Sequence, residues 1–298
     1  MTGVSFPNML LALLAAVLLI SGCTSSAPIE SQKRETIMLE HDTPVDPALQ
    51  NRLLEIDSDL RSRYNMTTEQ SAVGVLDLED GRLAMIHPDR IEYAASVAKI
   101  GILLAYFQTH PEAASQLVEQ TCRELGLMIK ASSNEMAAKF SQELGLAEIQ
   151  RVLNSYGFYD QARGGGIWVG KHYGKSDERI GDPLADHSHA ATVRQLLRFY
   201  LLLEQDRLVS PAASRTMKAI FASPDIPHDD IKFVKGLSGR DVQILRKWGS
   251  WEEWLHDTAL INGSNRRYIL VALTKHPRGD EYLADLARAV DDVMTENR

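Results

Sequence analysis

The chain has 298 residues, 44% of them apolar and 24% charged, with 19 Gly and 11 Pro, a balance that excludes a disordered or fibrous protein. Its 32 basic against 40 acidic residues leave a net charge of -8, so no basic field is available to neutralise a phosphate backbone, which argues against nucleic acid as a partner. At this length a core holds without disulfides, and the chain carries only two cysteines, Cys23 and Cys122.

Cys23 follows an apolar run, Met9 to Ile20, in Ile20-Ser21-Gly22-Cys23. The run is shorter than the roughly 20 residues of a membrane helix but suits the core of a signal peptide, and the tetrapeptide resembles the bacterial lipobox. That resemblance implies a signal peptide over residues 1–22 and a lipid on Cys23. The protein is then expected to be exported and lipid-anchored in the bacterial cell envelope, facing the periplasm, with the outer membrane as one destination. Residues 1 to 22 hold no Lys or Arg, which leaves the orienting positive charge to the amino terminus alone. With Cys23 lipidated, Cys122 has no disulfide partner and reads as a small buried apolar residue. Residues 23–45 are polar and without a sustained period, as expected of a tether, and the folded domain is expected over 46–298.

A helix is expected from Asp46-Pro47, with proline in its first turn and Leu49, Leu53, Ile56 and Leu60 at helical spacing. Ser71 to Leu78, Asp80-Gly81 and Arg82 to His87 read together as a hairpin. Ala95 to Phe107 is apolar on nearly every side, which marks a helix buried all round, yet it contains Lys99. A long helical stretch is expected over Pro111 to Gln205, broken by a glycine-rich loop around Gly157 to Asp186 and without strong strand signals. Strands return at Val242 to Lys247, Thr258 to Ile261 and Tyr268 to Thr274, the last two joined by Asn262-Gly263-Ser264-Asn265. The chain closes on a helix with Leu283, Leu286, Val290 and Val293 on one face. The expected fold class is α/β of the α+β kind: one antiparallel sheet built from both termini, with an inserted helical subdomain over about 109–225.

The chemistry begins at Ser96-Val97-Ala98-Lys99, the only S-x-x-K in the chain. Three residues apart on a helix, the two side chains share a face. An apolar helix lowers the pKa of its lysine, and a neutral amine beside a hydroxyl can take the proton of an attacking serine. Ser132-Ser133-Asn134 follows in the helical stretch, and Lys247-Trp248-Gly249-Ser250 ends a late strand. In that order, S-x-x-K, S-x-N and K-x-G resemble the motifs of the penicillin-recognising serine hydrolases, in particular the class A β-lactamase fold, over about residues 46 to 298.

The resemblance implies Ser96 as the acylated nucleophile and Lys99 as its base, with Ser132 relaying a proton to the leaving nitrogen. Asn134 would bind the substrate's amide side chain or hold Lys99. Lys247 would supply positive potential for a substrate carboxylate and help keep Lys99 neutral, and Gly249 would let the substrate backbone approach the strand edge. The backbone N–H groups of Ser96 and Ser250 would form the oxyanion hole. No cofactor and no metal is implied. The expected substrate is a small molecule or peptide with a carboxylate, a peptidoglycan peptide being the natural one in the envelope. Three features depart from the pattern. Trp248 stands where the family has Thr or Ser, leaving Ser250 as the hydroxyl at hand, and Ser133 replaces the Asp of S-D-N. No E-x-x-L-N segment occurs between Asn154 and Asp186 to activate a deacylating water, so β-lactam turnover is expected to be poor. The rival reading is a non-catalytic envelope lipoprotein that keeps the fold as a binding module.

Other signals are weaker. Gly165 to Lys171 fits G-x-x-x-x-G-K but is followed by His172 and has no preceding strand, which disfavours a phosphate loop. Asp186, His187 and His189 lack the companions of a metal site and read as loop packing. Trp248 and Trp251 flank the expected site, where a sugar-stacking role is open to them.

Overall fold

The computed structural model describes residues 37–174 and 177–296, together with residues 1 and 3. The apolar run, the expected signal peptide and Cys23 lie outside the described residues, and among the described residues no helix is long and apolar enough to cross a membrane.

In chain order the elements begin with helix α1 (Pro47–Tyr64), the hairpin β1 (Ser71–Asp77) and β2 (Leu83–Ile86), and the short strand β3 (Glu92–Tyr93). A 3-10 turn, Ala95–Ala98, then runs straight into α2 (Lys99–Thr109), followed by α3 (Ala113–Gln116), α4 (Glu119–Ile129), α5 (Asn134–Leu144) and α6 (Leu146–Ser155). Four short strands come next: β4 (Tyr159–Asp160), β5 (Gly165–Gly166), β6 (Trp168–Val169) and β7 (His189–Ala191). They are followed by α7 (Val193–Glu204), α8 (Pro211–Ala222) and α9 (Lys232–Gly236). Strands β8 (Val242–Trp251), β9 (Trp254–Gly263) and β10 (Arg267–Lys275) and helix α10 (Gly279–Glu296) complete the chain. The main sheet has the order β2-β1-β10-β9-β8, so it is assembled from both ends of the domain and leaves β8 as an edge. All its pairings are antiparallel.

Local chemistry explains the elements. The Asp46 carboxylate accepts the Leu49 N–H at 2.8 Å and Pro47 opens α1, which ends where Asn65 takes a left-handed conformation. Alternation along the strands then divides two cores. Val73, Val75, Ile261 and Leu270 pack with Leu49 and Leu53 of α1 and Leu283 and Leu286 of α10 on one face. On the other face Ala72, Leu76, Ile269 and Val271 meet Leu196 and Leu197 of α7 and the apolar length of α2. Burial of each large side chain contributes about 1.5–3 kcal/mol. Gly74 lets α7 lie close on β1: a Cβ there would come within 2.5 Å of Val193 and 2.7 Å of Leu197. Buried Asp57 accepts from Arg61, Ser71 and Tyr282, which ties α1 to β1 and α10.

Several elements differ from the sequence expectation. Residues 37–45 lie on the body rather than trailing from it: Leu39 is in the core, and the carbonyls of Ile37 and Glu40 accept from Gln205 and Arg194 of the helical layer. The expected nucleophile helix is split, since Ser96 sits in the 3-10 turn and regular helix begins at Lys99. The motif Lys247-Trp248-Gly249-Ser250 lies within β8 instead of at its end. A further hairpin turn, Glu252-Glu253 with Glu252 at φ 52, joins β8 to β9. Strands β4 to β7 also occur inside the stretch expected to be helix and loop, where β4 pairs with β5 and β7 with both β6 and the earlier β3. Cys122 is half-buried against the core rather than fully enclosed.

Candidate active site

The nucleophile turn is held in an unfavourable backbone conformation. Ala95, just before Ser96, has φ 46, Ser132 has φ 56 and Lys232 has φ 53. A non-glycine residue in this region costs roughly 1–2 kcal/mol; of the three, Ala95 lines the cleft, while Lys232 is wholly buried. The turn is pinned by Tyr173, whose hydroxyl donates to Ala95 O at 3.0 Å. Tyr93 O accepts from His256 Nε2 at 2.7 Å, which fixes the segment leading into the turn. One turn apart at this junction, Ser96 and Lys99 share a face.

Lys99 is fully buried, and burial lowers its pKa to about 7. Its Nζ donates to Ser132 O at 2.6 Å and Asn134 Oδ1 at 2.7 Å, and Ser132 Oγ lies at 3.4 Å. A neutral amine has two N–H donors, both occupied here, so its lone pair is left to accept from a hydroxyl. The Tyr173 ring covers the same amine at 4.5 Å. Ser132 precedes α5, where Ser133 caps the helix by accepting the Met136 N–H at 3.2 Å. Lys247 reaches Ser132 Oγ at 2.9 Å and Trp248 O at 2.7 Å from β8. Burial first, then Lys99 nearby, pushes the Lys247 pKa well below the usual lysine range. Thr258 of β9 backs it by donating to Lys247 O at 2.7 Å. Ser132 Oγ therefore lies between two lysines, as a proton relay requires.

Gly249 makes a close contact of its own in the fold. A Cβ there would meet the nucleophile turn itself, 3.0 Å from Ala94 O and Ser96 N and 3.1 Å from Val97 N. The glycine thus lets edge strand β8 lie against Ser96, with Ser250 exposed beside it. Gly249→Ala is expected to shift Ser96 by a few tenths of an ångström and slow its acylation by up to about tenfold, since a misplacement of about 1 Å costs about 10²-fold. Acylation kinetics on folded variant would check it, and a rate equal to wild type would contradict the close approach.

The cleft in front of the turn encloses about 510 Å³, within the range of small-molecule sites. Ser96, Asn134 and Ser250 line one side, and Tyr93, His187 and Trp254 form an edge-packed aromatic wall with centroids 5.9–6.1 Å apart. Trp251, 58% exposed, stands at the rim. Trp248 is instead held by two lysines, with Lys232 and Lys247 Nζ at 4.9 and 5.2 Å from its ring. Among the described residues no three His, Cys, Asp or Glu side chains are placed to hold a metal. Asp186 pairs with Arg179, and His189 faces Lys171 O at 3.0 Å with its pKa lowered by burial to about 4. In Gly165 to Lys171, Gly165 and Gly166 form β5 and Gly170 lies against Ile180 O, rather than forming a phosphate loop.

The structure thus brings Ser96, Lys99, Ser132, Asn134, Lys247, Gly249 and Ser250 together. Sequence reading missed Tyr173, the aromatic wall and Lys232. Only Lys232 carried a signal, a lysine within the apolar run Ile231-Lys232-Phe233-Val234, the same signal that marked Lys99.

A five-stranded antiparallel sheet, a helical insertion and three motifs meeting at its edge define the β-lactamase/transpeptidase-like fold. Solved structures agree. PBP-A is 20% identical with a TM-score of 0.66, the match covering 85% of this chain and 99% of PBP-A. The β-lactamase of Sphaerobacter thermophilus is 15% identical with a TM-score of 0.65, covering 82% of this chain and 97% of that one. A class A β-lactamase from Bacteroides cellulosilyticus is 14% identical with a TM-score of 0.65, covering 83% and 98%. No curated protein matches the chain. The profile of the β-lactamase enzyme family matches residues 123–294, more than half of the chain, and the chain belongs to that family.

Proposed function

We propose that this protein is a serine hydrolase that forms an acyl-enzyme at Ser96 on an amide or ester whose substrate carries a carboxylate. The observation that carries the reading is Lys99, buried one turn from Ser96, with its pKa lowered to about 7 and both N–H donors occupied. Such an amine is poised as a general base near neutral pH. Ser132 then passes the proton to the leaving nitrogen of an amide or oxygen of an ester, while Lys247 holds its hydroxyl. The N–H groups of Ser96 and Ser250 receive the oxyanion. A bound substrate carboxylate meets Lys171 in the cleft wall, with Lys247 buried behind it. A peptidoglycan peptide suits this chemistry if the chain is exported, and the lipobox-like Ile20-Ser21-Gly22-Cys23 is the basis for placing it in the envelope on a lipid at Cys23.

A solved variant of PBP-A is an acyl-enzyme complex with penicillin G, which makes β-lactams the first probes. Intact-mass analysis after incubation with a β-lactam panel is expected to show one adduct, mapped by peptide sequencing to Ser96. Cell fractionation of the same protein is expected to recover it with membranes, and recovery of Cys23→Ser in the membrane fraction like wild type would contradict the anchor. No adduct with any member, or an adduct elsewhere, would overturn the acyl-enzyme reading.

A further inference from the structure

Behind β8 lies a lysine that acyl transfer, as described above, leaves unused. Lys232 opens α9 with a left-handed backbone, φ 53, and its side chain is wholly buried. Both features are unfavourable on their own, so the contacts they secure are informative. Its Nζ donates to Gly249 O at 2.8 Å and to Ser250 Oγ at 2.5 Å, and Asp280 Oδ1 lies 3.6 Å away.

Gly249 C=O and Ser250 N–H belong to one peptide group. In a trans peptide they point in opposite directions, so a clamp on the oxygen aims the N–H away from Lys232. The Ser96 turn lies against β8, as the 3.0 Å approach of a Gly249 Cβ to Ser96 N shows. A cation on the carbonyl oxygen also polarises the amide and strengthens its N–H as a donor. An ammonium has donors only, so Ser250 Oγ must accept from it, and the serine's own proton is left for a substrate oxygen in the cleft.

We propose that Lys232 is a positioning residue for acyl transfer: by clamping Gly249 O and Ser250 Oγ it aims and polarises the Ser250 N–H as an oxyanion donor. The proposal rests on the acyl-enzyme reading and extends it to a residue outside the three motifs. Lys232 is faced by Asp280 of α10, Asp257 and His256 of β9, and Arg246 and Lys247 of β8. Burial lowers its pKa to about 8, with Asp280 and Asp257 opposing the fall and Arg246 adding to it. His256 is lowered to about 3 and Lys247 well below its usual range. The clamp is therefore charged below about pH 8 and weakens as pH rises through that value.

The test is acylation by benzylpenicillin, resolved by stopped flow into binding and a first-order step, in wild type, Lys232→Met and Lys232→Arg. Removing one oxyanion donor outright costs about 10²- to 10³-fold, and loosening one is expected to lower the first-order constant about 10- to 100-fold with binding changed less than about threefold. Lys232→Arg, always charged, is expected to restore most of the rate and to abolish the decline above pH 8. The Ser250 amide resonance of wild type, which needs no variant to fold, is expected to titrate near pH 8. An unchanged first-order constant in folded Lys232→Met, or a Ser250 amide insensitive to pH there, overturns the clamp. Absence of any wild-type acylation instead overturns the acyl-enzyme reading, and the proposal with it.

Discussion

Lys99→Met is expected to slow acylation of Ser96 by about 10³- to 10⁴-fold, the upper part of the range for loss of a general base. The upper part applies because the neighbouring groups do not replace it. Lys247 Nζ is committed to Ser132 Oγ and Trp248 O, and Tyr173, which covers the Lys99 amine, has its pKa raised well above the usual range by burial. In wild type the acylation rate is expected to rise with pH through about 7, because the base acts only when neutral and burial sets its pKa there. The methionine variant loses that limb. It should fold at least as well as wild type, since methionine fills a similar volume in α2 and brings no charge into the core. Thermal unfolding separates the two effects: a lowered melting temperature in parallel with the lost rate would point to a structural lysine. A variant within tenfold of wild type and without a limb near pH 7 would remove Lys99 from the chemistry.

What the sequence disclosed depended on how local each determinant was. Proline at the start of α1, the Asp80-Gly81 turn and the apolar face of α10 act within a few residues, and those elements formed where the pattern placed them. β8 runs on from the expected Val242–Lys247 to Trp251, and the sequence did not disclose why Arg246 and Lys247 are buried within it. Both are buried through partners distant in sequence: Arg246 meets Asp257 at 2.7 Å across the hairpin, and Lys247 meets Ser132. Two-residue strands such as β3 and β6 leave no period to detect. The seven motif residues were legible as chemistry, but their geometry was not. K-x-G drew attention to Gly249 for a substrate's approach, and only the fold shows that the nucleophile turn lies against it. Lys232 had the same apolar surroundings as Lys99 but no motif to draw attention to it.

Any penicilloyl adduct is expected to be long-lived, with hydrolysis slower by about 10²- to 10⁴-fold than a base-assisted step of the same kind. Acylation and deacylation need different bases, since Lys99 serves Ser96 and a water must be activated separately. Among the described residues, those lining the cleft include no carboxylate. Of the groups that could take a proton there, His172 has Nδ1 2.9 Å from Ser141 Oγ and Nε2 3.2 Å from Glu178, so both ring nitrogens are engaged. His189 is too weak a base, its pKa lowered to about 4, and Tyr173 is protonated and bonded to Ala95 O. His187 stands between the rings of Tyr93 and Trp254 on the aromatic wall. With a chromogenic cephalosporin the expected trace is a burst of one equivalent followed by a very slow phase, and the adduct should persist in intact-mass spectra over the same interval. Sustained turnover at tens per second would show that one of these imidazoles reaches the water. Separate His172→Ala and His187→Ala variants would then identify which, because only the one that activates the water would convert turnover back into a burst.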